Sequence, residues 1–401
     1  MKHLRFSFAI HAAVFAFLFA FLPACQGEDP ATLRAQRASS AEGDLIIAAA
    51  WPWTARTVGL YAEGLDMAVE EINADGGVRG RNLRIVRGDD GESVDGGRLV
   101  AQRFADDPDV VAVIGHLNSH ISIPAADIYE RGGLLMMTPA STAPNLTRKG
   151  YKRVFRTVPN DEEIARQLAD LASVQHWRKV YVVYVRTAYG EGLANAFELA
   201  ATGRGVDVVG RGSYGNDGSG LEELVEDASL KRDAQGFDAV LLAGVPPEAG
   251  VAIAALRRGG VETPVFGGDA LDTVELLASA GDAAEGVYVA SVFHPDDPRP
   301  EPRAFRQAFE ARYDRPPDSW AARGYETVHV LAQAMRAADS AAPEAVAAKL
   351  REQRSVKGIT STFRFDEHGD VVDKRLITAV VRDGQFVYHD TTGPLAALSV
   401  Q

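Results

Sequence analysis

The chain has 401 residues, 42 of them Lys or Arg and 55 Asp or Glu, for a formal net charge of −13. That acidic balance is the wrong footprint for binding nucleic acid and is what keeps an exported globule soluble. One cysteine excludes disulfides within the chain and any thiolate metal cluster, and the roughly 350 residues after the N-terminal region exceed one compact core and suit two lobes.

Met1–Cys25 reads as a processing signal, with Lys2 and Arg5 ahead of an apolar run from Phe6 to Leu22 that His11 interrupts. The run is short and ends in small residues, which argues against a transmembrane anchor. It closes on Leu22-Pro23-Ala24-Cys25, which resembles a bacterial lipobox and implies that Cys25 is lipidated and anchors the mature chain to a membrane. Losing Lys2 and Arg5 with the signal takes the charge from −13 to −15. Gln26–Gly43 is rich in Gly, Pro, Ala, Ser and charge, and is expected to be a flexible tether.

From Leu45 onward apolar runs alternate with amphipathic segments, the pattern of parallel sheets flanked by helices. Leu45–Ala50 is followed by a predicted helix over Tyr61–Asn73 that stops at Asp75-Gly76-Gly77, where glycine accepts the left-handed conformation. Leu83–Val86 leads to a helix near Asp95–Phe104, and Val110–Ile114 to one over Pro124–Arg131 and the run Leu134–Met137. A second series runs from Val180–Val185 to Val265–Gly268 in the same alternation. After Val287–Val292 come predicted helices near Pro302–Tyr313, Ala322–Ala338 and Pro343–Gln353, then strands near Ile359–Phe365, Leu376–Val381 and Gln385–His389. The fold class is α/β, with two doubly wound lobes.

Gly210–Gly215 satisfies G-x-G-x-x-G, yet no helix opens within it and Asn216, Asp217 and Gly218 continue a loop, so it reads as a turn and not a dinucleotide site. His116 and His120 straddle a strand-to-helix transition with no third ligand nearby, which argues against zinc. Neither a P-loop nor a G-x-S-x-G elbow occurs. No cofactor, metal or catalytic residue is called for.

The stretch Val113–Tyr151 holds two apolar runs, each ending in a small polar turn, Asn118-Ser119 and Pro139-Ala140-Ser141-Thr142. In an open α/β sheet, strand carboxyl ends are where ligands bind. This stretch, with AVEEINADGGVRGRNLRIVRGDD, VFRTVPND, AYGEGLANAF, GDAAEGVYV and FRFDEHGDVVDKR in the same order, resembles the leucine/isoleucine/valine-binding proteins, type I periplasmic solute-binding components of ABC importers. The resemblance runs from about Asp44 to about His389. It implies a Venus-flytrap of two Rossmann-like lobes joined by three hinge crossovers, near Arg156–Asn160, Ala290–His294 and Gly358–Arg364. The lobes would then comprise 44–157 with 292–360, and 158–291 with 361–392, followed by a tail over 393–401. The implied partners are a free amino acid or close analogue and the membrane subunits of an ABC permease, the protein itself acting as a monomer.

An amino acid brings a carboxylate and an ammonium that must both be paired when taken out of water. The resemblance assigns the carboxylate to Ser119, Ala140, Ser141 and Thr142, where hydroxyls and N–H donors at a helix start favour an anion. It assigns the ammonium to Asp269, where the family usually has Glu, with Tyr189 facing the ligand's polar end and Asp272 as a fallback. The side-chain pocket departs from the family: Ala50-Trp51-Pro52-Trp53-Thr54 replaces a Gly-x-x-Ser/Thr-Gly turn, and Val245 stands where relatives carry an aromatic residue. Trp51, Trp53, Asn118, Val245 and Trp320 are the expected pocket residues. Two other classes remain open on sequence alone: a sensor module for a signalling partner on the same fold, and an enzyme, for which no nucleophile with a base is recognisable.

Overall fold

The computed structural model describes residues 28–40 and 42–389. The signal, Cys25 and the tail over 393–401 lie outside the described residues. Strands β1 (Leu45–Trp51), β2 (Leu83–Asp89), β3 (Val110–Gly115), β4 (Leu135–Thr138) and β5 (Val154–Arg156) form one sheet in the order β2-β1-β3-β4-β5. Every pairing in it is parallel. A second sheet contains β6 (Lys179–Val185), β7 (Asp207–Tyr214), β8 (Ala239–Ala243), β9 (Val265–Gly267) and β10 (Tyr288–Ser291), closed at one edge by antiparallel β14 (Ile377–Arg382) and β15 (Gln385–His389). In each sheet the order reverses beside the first strand, between β1 and β3 and between β6 and β8. The crevice outside the strand ends at such a switch point is the natural ligand position of a doubly wound sheet.

The central strands are apolar throughout because helices cover both faces: all six residues of β3 and all five of β8 are buried. Helix α1 (Pro30–Ser39) precedes the first sheet, and α2 (Tyr61–Ala74), α3 (Val94–Asp106) and α4 (Ser119–Arg131) connect its strands. Helices α5 (Asp161–Val174), α6 (Ala188–Thr202), α7 (Leu221–Gln235), α8 (Glu248–Arg258) and α9 (Val274–Ala280) serve the second. Three later helices, α10 (Pro300–Tyr313), α11 (Ser319–Ala337) and α12 (Pro343–Glu352), return to the first lobe. Helix α11 lies directly on α2: a Cβ on Gly64 would stand 2.1 Å from the Ala321 carbonyl oxygen, and one on Gly324 2.8 Å from that of Tyr61. Only glycine permits that approach.

The chain leaves the first sheet after Arg156, returns to the first lobe as helices after Ser291, and passes to the second sheet again between Val372 and Ile377. This last passage falls later than Gly358–Arg364. The reason is a small sheet of β11 (Val356–Lys357), β12 (Thr362–Phe365) and β13 (Val371–Val372), whose Phe365 ring packs edge-on against Phe155 of β5 at 5.3 Å. Arg156, fully buried, holds this junction by donating to Asp370 at 2.6 Å and to the carbonyls of Ser141 (2.9 Å) and Ala143 (3.0 Å). Burial alone would raise the Asp370 carboxyl, but Arg156 and the bonds from Asn160 and Thr147 outweigh it and hold it below the ordinary carboxylate range.

Two sequence expectations change here. Within 26–43, Pro30–Ser39 is a helix docked on the first lobe and not a tether. Its Arg34 is buried and donates to the carbonyls of Val110 (2.7 Å), Gly132 (2.5 Å), Ala105 (2.6 Å) and Asp107 (3.1 Å), so one guanidinium satisfies carbonyls at the ends of α3 and α4 and at the start of β3. Composition does not reveal such a contact because one long-range cation, and not an apolar stripe, makes it. The segment Gly210–Tyr214 is likewise strand and not turn: Gly210 and Gly212 leave room for the Tyr181 side chain, whose hydroxyl reaches Asp227 at 2.5 Å.

Candidate functional site

The carboxyl ends of both sheets face one another across a cleft whose lining includes Ser119 and Ala140 from the first lobe and Tyr189, Val245 and Asp269 from the second. Each stands where a strand gives way to a turn. Ser119 opens α4 after β3, next to its N-cap Asn118, and its hydroxyl accepts from the Ala143 N–H at 3.3 Å, tying the two polar turns of the first lobe together. The first N–H groups of α4 have no partner inside the helix, and with the helix dipole they make an anion site. Ala140 lines the cleft beside it. Ser141 does not: its hydroxyl is spent on the Ser122 hydroxyl (2.5 Å) and the carbonyls of His116 (3.1 Å) and Leu117 (3.2 Å), so it holds the turn together.

Thr142, like Asp161, is not among the cleft-lining residues: it is fully buried with its hydroxyl unpaired, and its carbonyl accepts the N–H of Asp161 at 2.9 Å. Asp161 opens α5 at the passage between lobes, is fully buried, and has both carboxylate oxygens unpaired. Thr142 lies close enough to oppose the shift of this carboxyl without forming a well-made hydrogen bond to it. Burial pushes Asp161 up to about 7, with nearby Asp269 adding to the rise and Thr142 and Arg156 opposing it. Tyr189 is buried with its hydroxyl unpaired, and burial together with Asp269 and Asp161 raises its phenol well above the ordinary value.

Asp269 follows β9 and is 2 % exposed. One of its oxygens is unpaired and the other accepts from Arg323 of α11 at 2.8 Å, an ion pair between the lobes. The Arg323 guanidinium also donates to the Pro139 carbonyl at 3.2 Å and lies 4.6 Å over the Trp320 ring. Two further bonds cross the cleft, Trp320 Nε1 to the Asp272 carbonyl at 3.1 Å and Arg56 Nη1 to the Pro246 carbonyl at 2.8 Å. Asp272 is buried with one oxygen bonded to Tyr388 (2.9 Å) and the other unpaired, but it is not among the cleft-lining residues.

The unpaired oxygens of Asp161 and Asp269 lie near one another and near the Tyr189 hydroxyl, with Thr142 beside Asp161; of these residues Tyr189 and Asp269 line the cleft together with Ser119. Buried polar atoms without partners cost about 1–3 kcal/mol each. Residue-type reasoning missed Asp161 and Arg323. Asp161 ends the segment VFRTVPND, but at a helix start an acidic residue is indistinguishable from an ordinary cap.

The expected pocket wall divides. Asn118, Val245 and Trp320 line the cleft. Trp51 instead stacks on Tyr61 with ring centres 4.0 Å apart and is 2 % exposed, a core residue. Trp53 packs behind it, its indole N–H bonded to the Ala49 carbonyl at 3.1 Å and its face covered by Arg87. His116 is also structural, held between Asp90 (2.7 Å) and the Tyr129 hydroxyl (3.0 Å), and among the described residues no group of His, Cys, Asp and Glu is placed to hold a metal.

Two facing lobes that share one buried polar cluster define a protein that binds a small ligand between them. The family described as "Periplasmic binding protein" matches residues 54–385. The chain is 32% identical over 339 residues to Leu/Ile/Val-binding protein homolog 1 of Brucella abortus (strain 2308), covering 82% of this chain and 88% of that one. It is 31% identical over 337 residues to the leucine-, isoleucine-, valine-, threonine- and alanine-binding protein of Pseudomonas aeruginosa, covering 83% and 88%. The crystal structure of an ABC transporter substrate-binding protein from Desulfitobacterium hafniense in complex with Leu matches with a TM-score of 0.77 and 39% identity, over 86% of this chain and 100% of that one. The chain belongs to the periplasmic binding protein family.

Proposed function

We propose that this protein is the extracytoplasmic solute-binding component of an ABC importer, capturing a free amino acid or close analogue between its lobes and passing it to the permease. The observation that carries the reading is the set of unpaired buried atoms on Tyr189 and Asp269, which line the cleft with Ser119, and on neighbouring Thr142 and Asp161. The ligand carboxylate is received by the Ser119 and Thr142 hydroxyls and the first N–H groups of α4, and the ammonium by Asp161 and the free oxygen of Asp269, with Tyr189 between them. Because Asp269 is on the second lobe and Ser119 on the first, a bound ligand favours the closed arrangement by its differential affinity for it. Binding and release suffice for this role, with no covalent step. The relatives named above, described as binding leucine and other small amino acids, support the amino-acid class.

In this reading the chain is exported and lipidated at Cys25, acts as a monomer, and is built of two discontinuous lobes. The test is calorimetric titration of the mature protein with a panel of α-amino acids, their methyl esters and their N-acetyl derivatives. At least one free amino acid binds while both of its derivatives do not. Binding of an ester or an N-acetyl derivative as tight as that of its parent refutes the assignment of the polar ends. Asp161→Asn is a cleaner probe of the ammonium site than Asp269→Ala, which also strands Arg323.

A further inference from the structure

Beside the apolar Val58, Leu117, Val245, Ala270 and Trp320, the cleft carries polar groups that a leucine side chain does not use. Arg56, in the turn after β1, and Glu275, in the first turn of α9, line it from opposite lobes, accompanied by Asn118, His120 and Asn216. Arg56 is paired with Glu92 of its own lobe at 3.1 Å and donates across the cleft to Pro246, yet its Nε is buried and unpaired. Glu275 has a buried, unpaired Oε2 and makes no ion pair with Arg56. Burial raises its carboxyl, Arg56 opposing and Glu92 adding to the rise. The same turn of α9 is fixed by Thr273, whose hydroxyl accepts the Glu275 N–H at 3.4 Å.

Arg56 on the first lobe, with an unpaired donor, and Glu275 on the second, with an unpaired acceptor, line the same space. We propose that this part of the cleft recognises a ligand side chain ending in a primary carboxamide, its carbonyl oxygen accepting from Arg56 Nε and its NH₂ donating to Glu275 Oε2. The inference rests on the amino-acid reading above and names the substrate class within it. Charge decides against the ionic alternatives. Arg56 is already neutralised by Glu92, so a ligand carboxylate meets a third anion beside Glu92 and Glu275. A cationic side chain reaching Glu275 lies against the Arg56 guanidinium. An aliphatic side chain leaves both polar atoms buried and unpaired, and a site built to hydrogen-bond rejects the analogue that cannot.

The test titrates the mature wild-type protein and the variants Glu275→Leu and Arg56→Met with glutamine, asparagine, leucine, glutamate and lysine. Wild type binds asparagine or glutamine at least about tenfold more tightly than leucine. Glu275→Leu lowers amide affinity by about tenfold or more while leucine affinity holds or improves, a split that a misfolded variant does not produce. Arg56→Met reports the same loss from the other lobe. Leucine binding as tightly as either amide, or an amide-to-leucine ratio that Glu275→Leu leaves unchanged, overturns the proposal. So does glutamate or lysine as the tightest ligand. If no free α-amino acid binds wild type, the amino-acid reading itself fails and this inference falls with it.

Discussion

Asp161 should make the ligand-free protein less stable than it needs to be. Its carboxyl is fully buried with both oxygens unpaired and is pushed by burial to about 7, against an ordinary 3.8. The folded state therefore holds this proton more tightly than the unfolded chain does. Its contribution to stability is complete below about pH 4 and is lost as pH rises through about 7. At 1.36 kcal/mol per pH unit, that interval corresponds to an upper value of about 4 kcal/mol. Asp161→Asn keeps the shape and removes the ionisation. Thermal unfolding of ligand-free wild type and variant at pH 5 and pH 8 is the assay. The variant should melt higher at pH 8, by up to about 5 °C, and the gap should narrow at pH 5. The same substitution should weaken amino-acid binding by about ten- to a hundredfold, the worth of a charge-assisted hydrogen bond. Wild-type affinity should rise between pH 5 and 8, because the ligand ammonium prefers the ionised carboxylate. An Asn variant less stable than wild type at pH 8, or a gap indifferent to pH, would refute the reasoning.

Arg323→Met removes the partner of a buried carboxylate on the opposite lobe. It should cost about 3–5 kcal/mol of stability and expand the ligand-free protein in small-angle scattering; an unchanged radius of gyration would show that the pair does not hold the lobes together. Ser119→Ala and Thr142→Ala should each reduce affinity by roughly ten- to a hundredfold in calorimetric titration while melting temperatures stay within a few degrees. Arg34→Met strips the donors from carbonyls at the far end of α3 and α4 and the start of β3 and should cost about 3 kcal/mol in chemical denaturation without altering ligand affinity, since α4 meets the cleft at its other end.

Much of this architecture is written in local pattern. Runs such as Val110–Gly115 and Ala239–Ala243 are buried on every side chain because parallel strands are covered on both faces. A glycine or a small polar residue after such a run marks a turn at the strand's carboxyl end, but it was the family resemblance that joined Ser119, Tyr189, Val245 and Asp269 in one crevice, which all four line. Short-range sterics and hydropathy set those features, and they need only neighbouring residues to be read. What the tertiary structure alone decided are the partnerships between residues distant in sequence. Arg323 meets Asp269 across 54 positions, Arg34 meets carbonyls 70 or more positions away, and Trp51 turns from the cleft to stack on Tyr61. Asp161 is the plainest case: its type and place fit an ordinary helix start, and only the packing of two lobes around it leaves a carboxylate buried with nothing to bind. The energy of a buried polar group depends on what surrounds it in space, and that is a property the linear order of residues does not contain.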